Sequence, residues 1–345
     1  MNKSKILLLT IIIFGLCMQS ALFAQRGGRA GETIEVKLAS PLPKESPWGR
    51  TLDRIAVEWN RITNGQVRLS IRHSGIEGNE SKMHLSLASD IIQAAVFTSF
   101  GLSEIEPAIM TMSAPFLIRT EAELSAVMRE LQPELERKLN SDKYFMLAWS
   151  KSGFVNIFSK ENVLTPDDLR RMKIASNPEA AEMNAAFKSM GFQVVESDWS
   201  DLGTKLNAGV VVAAYQNPAA IASLQLHTIL KNMLSTNIAP VVGGIVINKV
   251  TWEKIGSLNP RYQSELLVST RKIAEEFDNS LQRTVSDAVQ TMTRAGLRVN
   301  QPTSPQEQLW YTEMDRVVPS LLGTAFDRDL YQKISAVLTR FRGGR

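Results

Sequence analysis

Side chains able to do chemistry are few in this chain, and their spacing argues against most reactions. Its three histidines, His73, His84 and His227, come without an H-E-x-x-H pair, and the single cysteine, Cys17, leaves no thiolate set for a metal. No Gly-x-Ser-x-Gly elbow presents a nucleophile, and no glycine-rich loop ends in Lys-Ser/Thr to cradle a phosphate. "GGRAG" at 27–31 is only loosely like a dinucleotide fingerprint and precedes the first strand instead of following it. His73 and His84 lie across a strand-loop-helix junction that could bring them together, but surface histidines are the simpler explanation. Asp167 and Asp168 fall in the first turn of a predicted helix, where the macrodipole favours negative charge over acid/base work. The expectation is no enzyme, no metal and no cofactor.

Binding chemistry remains. Residues 173–176, "KIAS", predict a short strand entering a helix over 178–190, with Ser176 or Asn177 as N-cap, Pro178 at the first helical position and Glu179 in the first turn. Such corners gather ligands in α/β proteins because free backbone N–H groups point into the crevice; the side chain offered here is Ala175. The apolar strand 91–97 ends in Phe97 with Thr98 just beyond it, and Trp48 sits in the loop after the first strand, either lining an interface or stapling the next helix.

The elements that must position these residues read as βαβα order. A strand at 34–40, a helix at 50–63 with Leu52, Ile55, Ala56 and Trp59 on one face, and a second strand are followed by a helix near 79–88 and the strand 91–97. After a helix near 121–139, "YFMLAWS" predicts one strand, and "GFVNIFSK" opens a second unit of the same kind. Residues 260–295 form one helical pattern, far longer than the average of about 11–12 residues. Two α/β units without a linker, with chain passing back between them, predict a cleft between lobes.

Lys3 and Lys5, the apolar run 6–17 and small residues at Ala21 and Ala24 read as a secretory signal peptide over 1–24. Cys17 offers a rival reading as a lipid anchor, against which Leu16 stands where a small residue is wanted. The run is shorter than the roughly 20 apolar residues that cross a bilayer. Removing 1–24 takes away Lys3 and Lys5 and no acid, so the formal charge falls from +4 to +2 and gives no reason to invoke nucleic acid.

Several stretches, in order, resemble the solute-binding subunit of tripartite ATP-independent periplasmic (TRAP) transporters: "ITNGQV" with "SGIEGNES", "APFLIRTEAEL", "SGFVNIFSK" before "TPDDLRRMKI", and "GFQVVESDWSDLGTKLNAGVV" leading to "QNP". The resemblance implies an α/β, two-lobed periplasmic-binding-protein-like fold with hinge strands, a long helix spanning both lobes and a helical C-terminal extension. Its expected bounds are lobe I at 33–149 plus about 239–262, lobe II at 150–238 plus about 290–303, the long helix at about 261–295 and C-terminal helices at 304–345. It implies a receptor that closes on one small molecule and delivers it to the integral membrane subunits of a secondary permease. Some family systems that lack the carboxylate-binding arginine also use a periplasmic helical-repeat protein. An ATP-driven importer's receptor would share the lobes but not this ordered set.

The family's carboxylate-clamping arginine falls at Ala175, and a second family arginine at Val155, while Asn217 of "QNP" persists. A carboxylate enclosed without a cation forfeits charge-assisted hydrogen bonds. The expected ligand is therefore neutral or hydrophobic, lined by Trp48, Phe97, Phe116, Val155, Ala175, Phe187 and Tyr215, with Thr98 and Asn217 as polar contacts. The alternative is an organic acid held by a substitute basic residue, Arg171, Lys173 or Arg72.

Overall fold

The computed structural model describes residues 33–344, so the signal peptide expected over 1–24 and Cys17 lie outside them. Strand β1 (Ile34–Ala39) buries Val36, Leu38 and Ala39 and pairs in parallel with β2 (Val67–Arg72) and β3 (Ala94–Thr98). Helix α1 (Pro47–Ile62) connects the first two, capped by Ser46 and entered through Pro47; α2 (Glu80–Ala88) leads into β3. The short α3 (Ser99–Ser103) and a 3₁₀ segment (Pro107–Ser113) then reach α4 (Glu121–Leu139).

The next element departs from expectation. "YFMLAWS" and "GFVNIFSK" form one sixteen-residue strand, β4 (Tyr144–Ser159), so the expected change of unit at 149/150 falls inside it. Its apolar run hides the join, because a strand buried in two successive cores shows no polar break in its sequence. From it the chain winds through α5 (Pro166–Arg170), β5 (Lys173–Ser176), α6 (Ala181–Ser189), β6 (Gln193–Glu196), α7 (Trp199–Asn207), β7 (Ala213–Gln216), α8 (Pro218–Ser223) and β8 (Asn232–Leu234). Strand β9 (Ala239–Asn248) then returns antiparallel to β3 and β4.

The sheet order is β2-β1-β3-β9-β4-β7-β5-β6, with β8 pairing β4 and, on its other side, β10 (Arg298–Asn300). Lobe I is built on β1 to β3 and lobe II on β5 to β8, and β4 and β9 join them. Helix α9 (Lys249–Leu258) precedes α10 (Pro260–Arg294), which packs on α1, β4, α8 and α9 and so runs along both lobes. Trp59 of α1 is fully buried against it and donates from Nε1 to Thr270 Oγ1 at 2.8 Å. The C-terminal pair divides its attachments. Helix α11 (Ser304–Leu321) buries Trp310, whose Nε1 donates to Leu164 O in lobe II, while α12 (Arg328–Gly343) is tied to α4 of lobe I by Arg342–Glu123, Arg340–Glu130 and Lys333–Glu134.

Trp59→Ala removes a large buried side chain and its hydrogen bond, and should lower unfolding free energy by about 3–5 kcal/mol in a denaturant titration.

Candidate functional site

Helix α6 starts at Ala181, three residues later than the sequence predicts, and neither expected cap serves it. Asn177 Oδ1 instead accepts from Glu179 N, closing an Asx turn, and the Ser176 hydroxyl donates to Asn184 Oδ1 and meets the Tyr215 hydroxyl at 3.0 Å. The turn carries Glu179 away from β5 to the other lobe, where Ser81 N of α2 donates to Glu179 Oε1 at 3.4 Å. This contact joins α2 of lobe I to the turn that follows β5 of lobe II.

Glu80, beside Ser81, anchors the lobe I side. Its carboxylate accepts from Thr98 N (2.8 Å), Thr98 Oγ1 (2.9 Å) and Gly101 N (2.9 Å). Burial pushes its carboxyl up to about 7; the donors from Thr98 and Gly101 act the other way, and Glu179 adds to the rise.

The opposite edge of the cleft is the crossing of β4. Its ladder with β9 shifts register between Lys151 and Phe154, and Gly153 stands at φ +81°, a conformation that favours glycine. Side chains from three helices satisfy the interrupted segment. Asn217, the N-cap of α8, donates from Nδ2 to Ser152 O (2.8 Å) and Phe154 O (3.3 Å). Asp278 of α10 accepts from Lys151 N at 3.0 Å and from Ser150 Oγ at 2.9 Å, and Trp48 Nε1 donates to Ser152 Oγ at 3.2 Å. Burial pushes the Asp278 carboxyl up to about 6.

Against this geometry the nine expected contact residues separate. Thr98, Val155, Asn217 and Trp48 flank the crossing: Thr98 pairs with Gly243 and Val155 with Ala239, positions roughly 13 Å apart along β9. Thr98 and Asn217, expected as polar ligand contacts, spend their groups on Glu80 and on β4. Tyr215 is buried above Ser176, its hydroxyl pushed up to about 12 by burial. Phe187 packs edge-on against Tyr215 and Phe192, Phe97 lies in the lobe I core, and Phe116 packs on Trp310 and Tyr311 of α11. Ala175 is 1% exposed in an apolar cluster with Leu202, Ala214 and Ile221. The basic residues considered as substitutes stand elsewhere: Arg72 pairs with Glu77, and Arg171 and Lys173 are exposed.

None of the nine lines the larger of two described cavities, about 370 Å³, at the same crossing. Its walls come from α4 (Glu121, Ser125), β4 (Lys151, Phe154, Asn156), Asn237 and α10 (Asp278) among others. Sequence reasoning missed these polar residues; the signal that could have found them is the tight "K-S-G-F-V-N" passage itself. The histidines stay apart, His73 Nε2 at 3.3 Å from Asp53 Oδ1 and His84 Nε2 at 3.0 Å from the Tyr144 hydroxyl. Asp168 closes a capping box with Thr165, and Asp167 pairs with Arg170. No group of three His, Cys, Asp or Glu among the described residues could hold a metal, and no described helix is long and apolar enough to cross a membrane.

A sequence model of the family described as bacterial extracellular solute-binding protein, family 7 (DctP) matches residues 38–323. A solute-binding protein of Chromohalobacter salexigens is 21% identical over 263 residues, covering 75% of this chain and 76% of that protein. The fold is similar to that of a TRAP periplasmic solute-binding protein from Ralstonia eutropha H16 with bound (S)-2-acetolactate, at TM-score 0.80 and 19% identity over 89% of this chain and 99% of that one. A TRAP periplasmic solute-binding protein from Chromohalobacter salexigens with bound D-glucuronate matches at TM-score 0.80 and 18% identity, over 88% and 99%.

Because folding raises the proton affinity of Glu80, the native state holds more protons than the unfolded chain between about pH 4.5 and 7, and stability falls as pH rises through that window. Urea unfolding at about pH 5 and about pH 8 should show a smaller fall for Glu80→Gln than for the unaltered protein. Equal slopes would mean that Glu80 titrates normally.

Proposed function

Since the chain belongs to bacterial extracellular solute-binding protein family 7, we propose that it captures one small molecule between its lobes in the periplasm and delivers it to the integral membrane subunits of a TRAP permease. The crossing of β4 and β9 carries this reading. Two strands and one long helix pass between lobes, the ladder is interrupted at Lys151/Phe154, and the Ser81–Glu179 contact lies across the mouth. A ligand touching both strand-end faces stabilises the closed form by contacts that the open form lacks. A periplasmic helical-repeat partner belongs to the same proposal, on the strength of the missing arginine alone.

We further propose that the ligand carries no carboxylate. The relatives from Ralstonia and Chromohalobacter hold organic acids. The resemblance puts Val155 and Ala175 at the two arginine positions, Arg72 is paired, Arg171 and Lys173 are exposed, and Glu179 stands in the closing contact with Ser81, next to the buried Glu80. An acid enclosed there would lose its hydration and meet like charge. Thr98, Glu80 and Asn217 already spend their polar groups within the scaffold, which favours an uncharged and largely apolar molecule.

Native mass spectrometry of the protein from its own host's periplasm, followed by extraction of what it holds, should release an uncharged molecule. Recovery of a carboxylic acid alone would sink the ligand reading and leave the receptor reading standing. Val155→Arg should lower affinity for the recovered molecule at least about tenfold; unchanged affinity would show that position 155 does not meet it.

A further inference from the structure

Three charged residues line the cavity at the lobe crossing from three separate elements: Glu121 from the first turn of α4, Lys151 from β4 and Asp278 from the middle of α10. Lys151 lies close enough to act on the protonation of both carboxylates, and Glu121 on that of Asp278, yet none of the three forms an ion pair with a described residue. A cation and two carboxylates held near each other but apart leave a gap of matching polarity between them. The space, about 370 Å³, is of the size that small-molecule sites occupy, roughly 300–1,000 Å³.

We propose that this cavity is a second small-molecule site, taking a zwitterion whose cationic nitrogen sits between Glu121 and Asp278 and whose carboxylate meets Lys151. Burial raises the proton affinity of both Glu121 and Asp278, and Lys151 opposes the rise without cancelling it, so the pair of carboxylates favours an added cation. Ser125, Asn279 and Ser286 add hydrogen-bonding groups, and Leu281 and Val285 offer an apolar wall for a short methylene chain. The site is separate from the strand-end cleft: Phe154 and Asn156 line it, while Val155 between them turns to the other face of the strand. Because its walls belong to lobe I, the crossing strand and the spanning helix, an occupant would bias the opening of the lobes.

Calorimetric titration of the mature protein with glycine, 4-aminobutyrate and 6-aminohexanoate, beside acetate and butylamine, tests the proposal. At least one amino acid should bind about tenfold tighter than either singly charged control. Glu121→Gln and Lys151→Met should each weaken that binding about tenfold, and Lys151→Arg should largely restore it, with circular dichroism showing all three folded. Crystals soaked in the tightest probe should show it beside Lys151. Absence of binding, equal binding of the controls, indifference to both variants, or density at the ends of β3 and β5 would overturn the proposal. None of these results bears on the receptor reading.

Discussion

Two residues of β4, Ser152 and Gly153, pass between the lobes where the pairing with β9 shifts register between Lys151 and Phe154. Backbone groups freed in a buried strand need partners, since each unpaired one costs about 1–3 kcal/mol. The backbone partners come from side chains, Asn217 from lobe II and Asp278 from the spanning helix, while Trp48, tilted against Phe277 of that helix, donates to the Ser152 hydroxyl. Lobe, helix and crossing strand are thereby held by a handful of hydrogen bonds instead of a continuous ladder, which is what a joint requires. A ladder would resist bending; a packed apolar joint would resist separation.

The far edge of the cleft uses a different device. Glu80 is wholly buried and held by three donors, yet it keeps its proton at higher pH than an exposed glutamate, because burial outweighs those bonds. Glu179 approaches from lobe II, so the closing contact pairs one backbone donor with a carboxylate beside another. The mouth is accordingly held weakly, as a receptor that must release its cargo needs. The C-terminal helices span the same gap from outside, with α11 fixed to lobe II and α12 to lobe I.

How far the site was legible can be argued from particular residues. Ala175 and Val155 are recognisable as departures only beside a family pattern, and the uncharged ligand proposed from them rests on that resemblance. Phe97, at the end of its strand, and Phe116 and Phe187 are expected from the sequence to line an apolar cleft, but each packs within a core. Sequence reports that a side chain is apolar, not which of two buried surfaces it meets. Glu121 and Asp278 gave no sign of joining the "K-S-G-F-V-N" passage that holds Lys151, being 157 residues apart and brought together only by the path of α10 past β4.

The sequence by itself determined the alternation of strands and helices, the unbroken helix Pro260–Arg294, the lack of a catalytic constellation and the family. These are local or ordered patterns, set by periodicity, caps and turn residues within a few positions of each other. The tertiary structure decided that β4 is one strand, that Asn177 makes a turn so that Glu179 can cross to Ser81, and that Thr98 and Asn217 serve the scaffold. Those outcomes depend on which groups find each other across long stretches of chain. Competition among distant partners for a buried donor or acceptor is settled by packing, and no local pattern carries it.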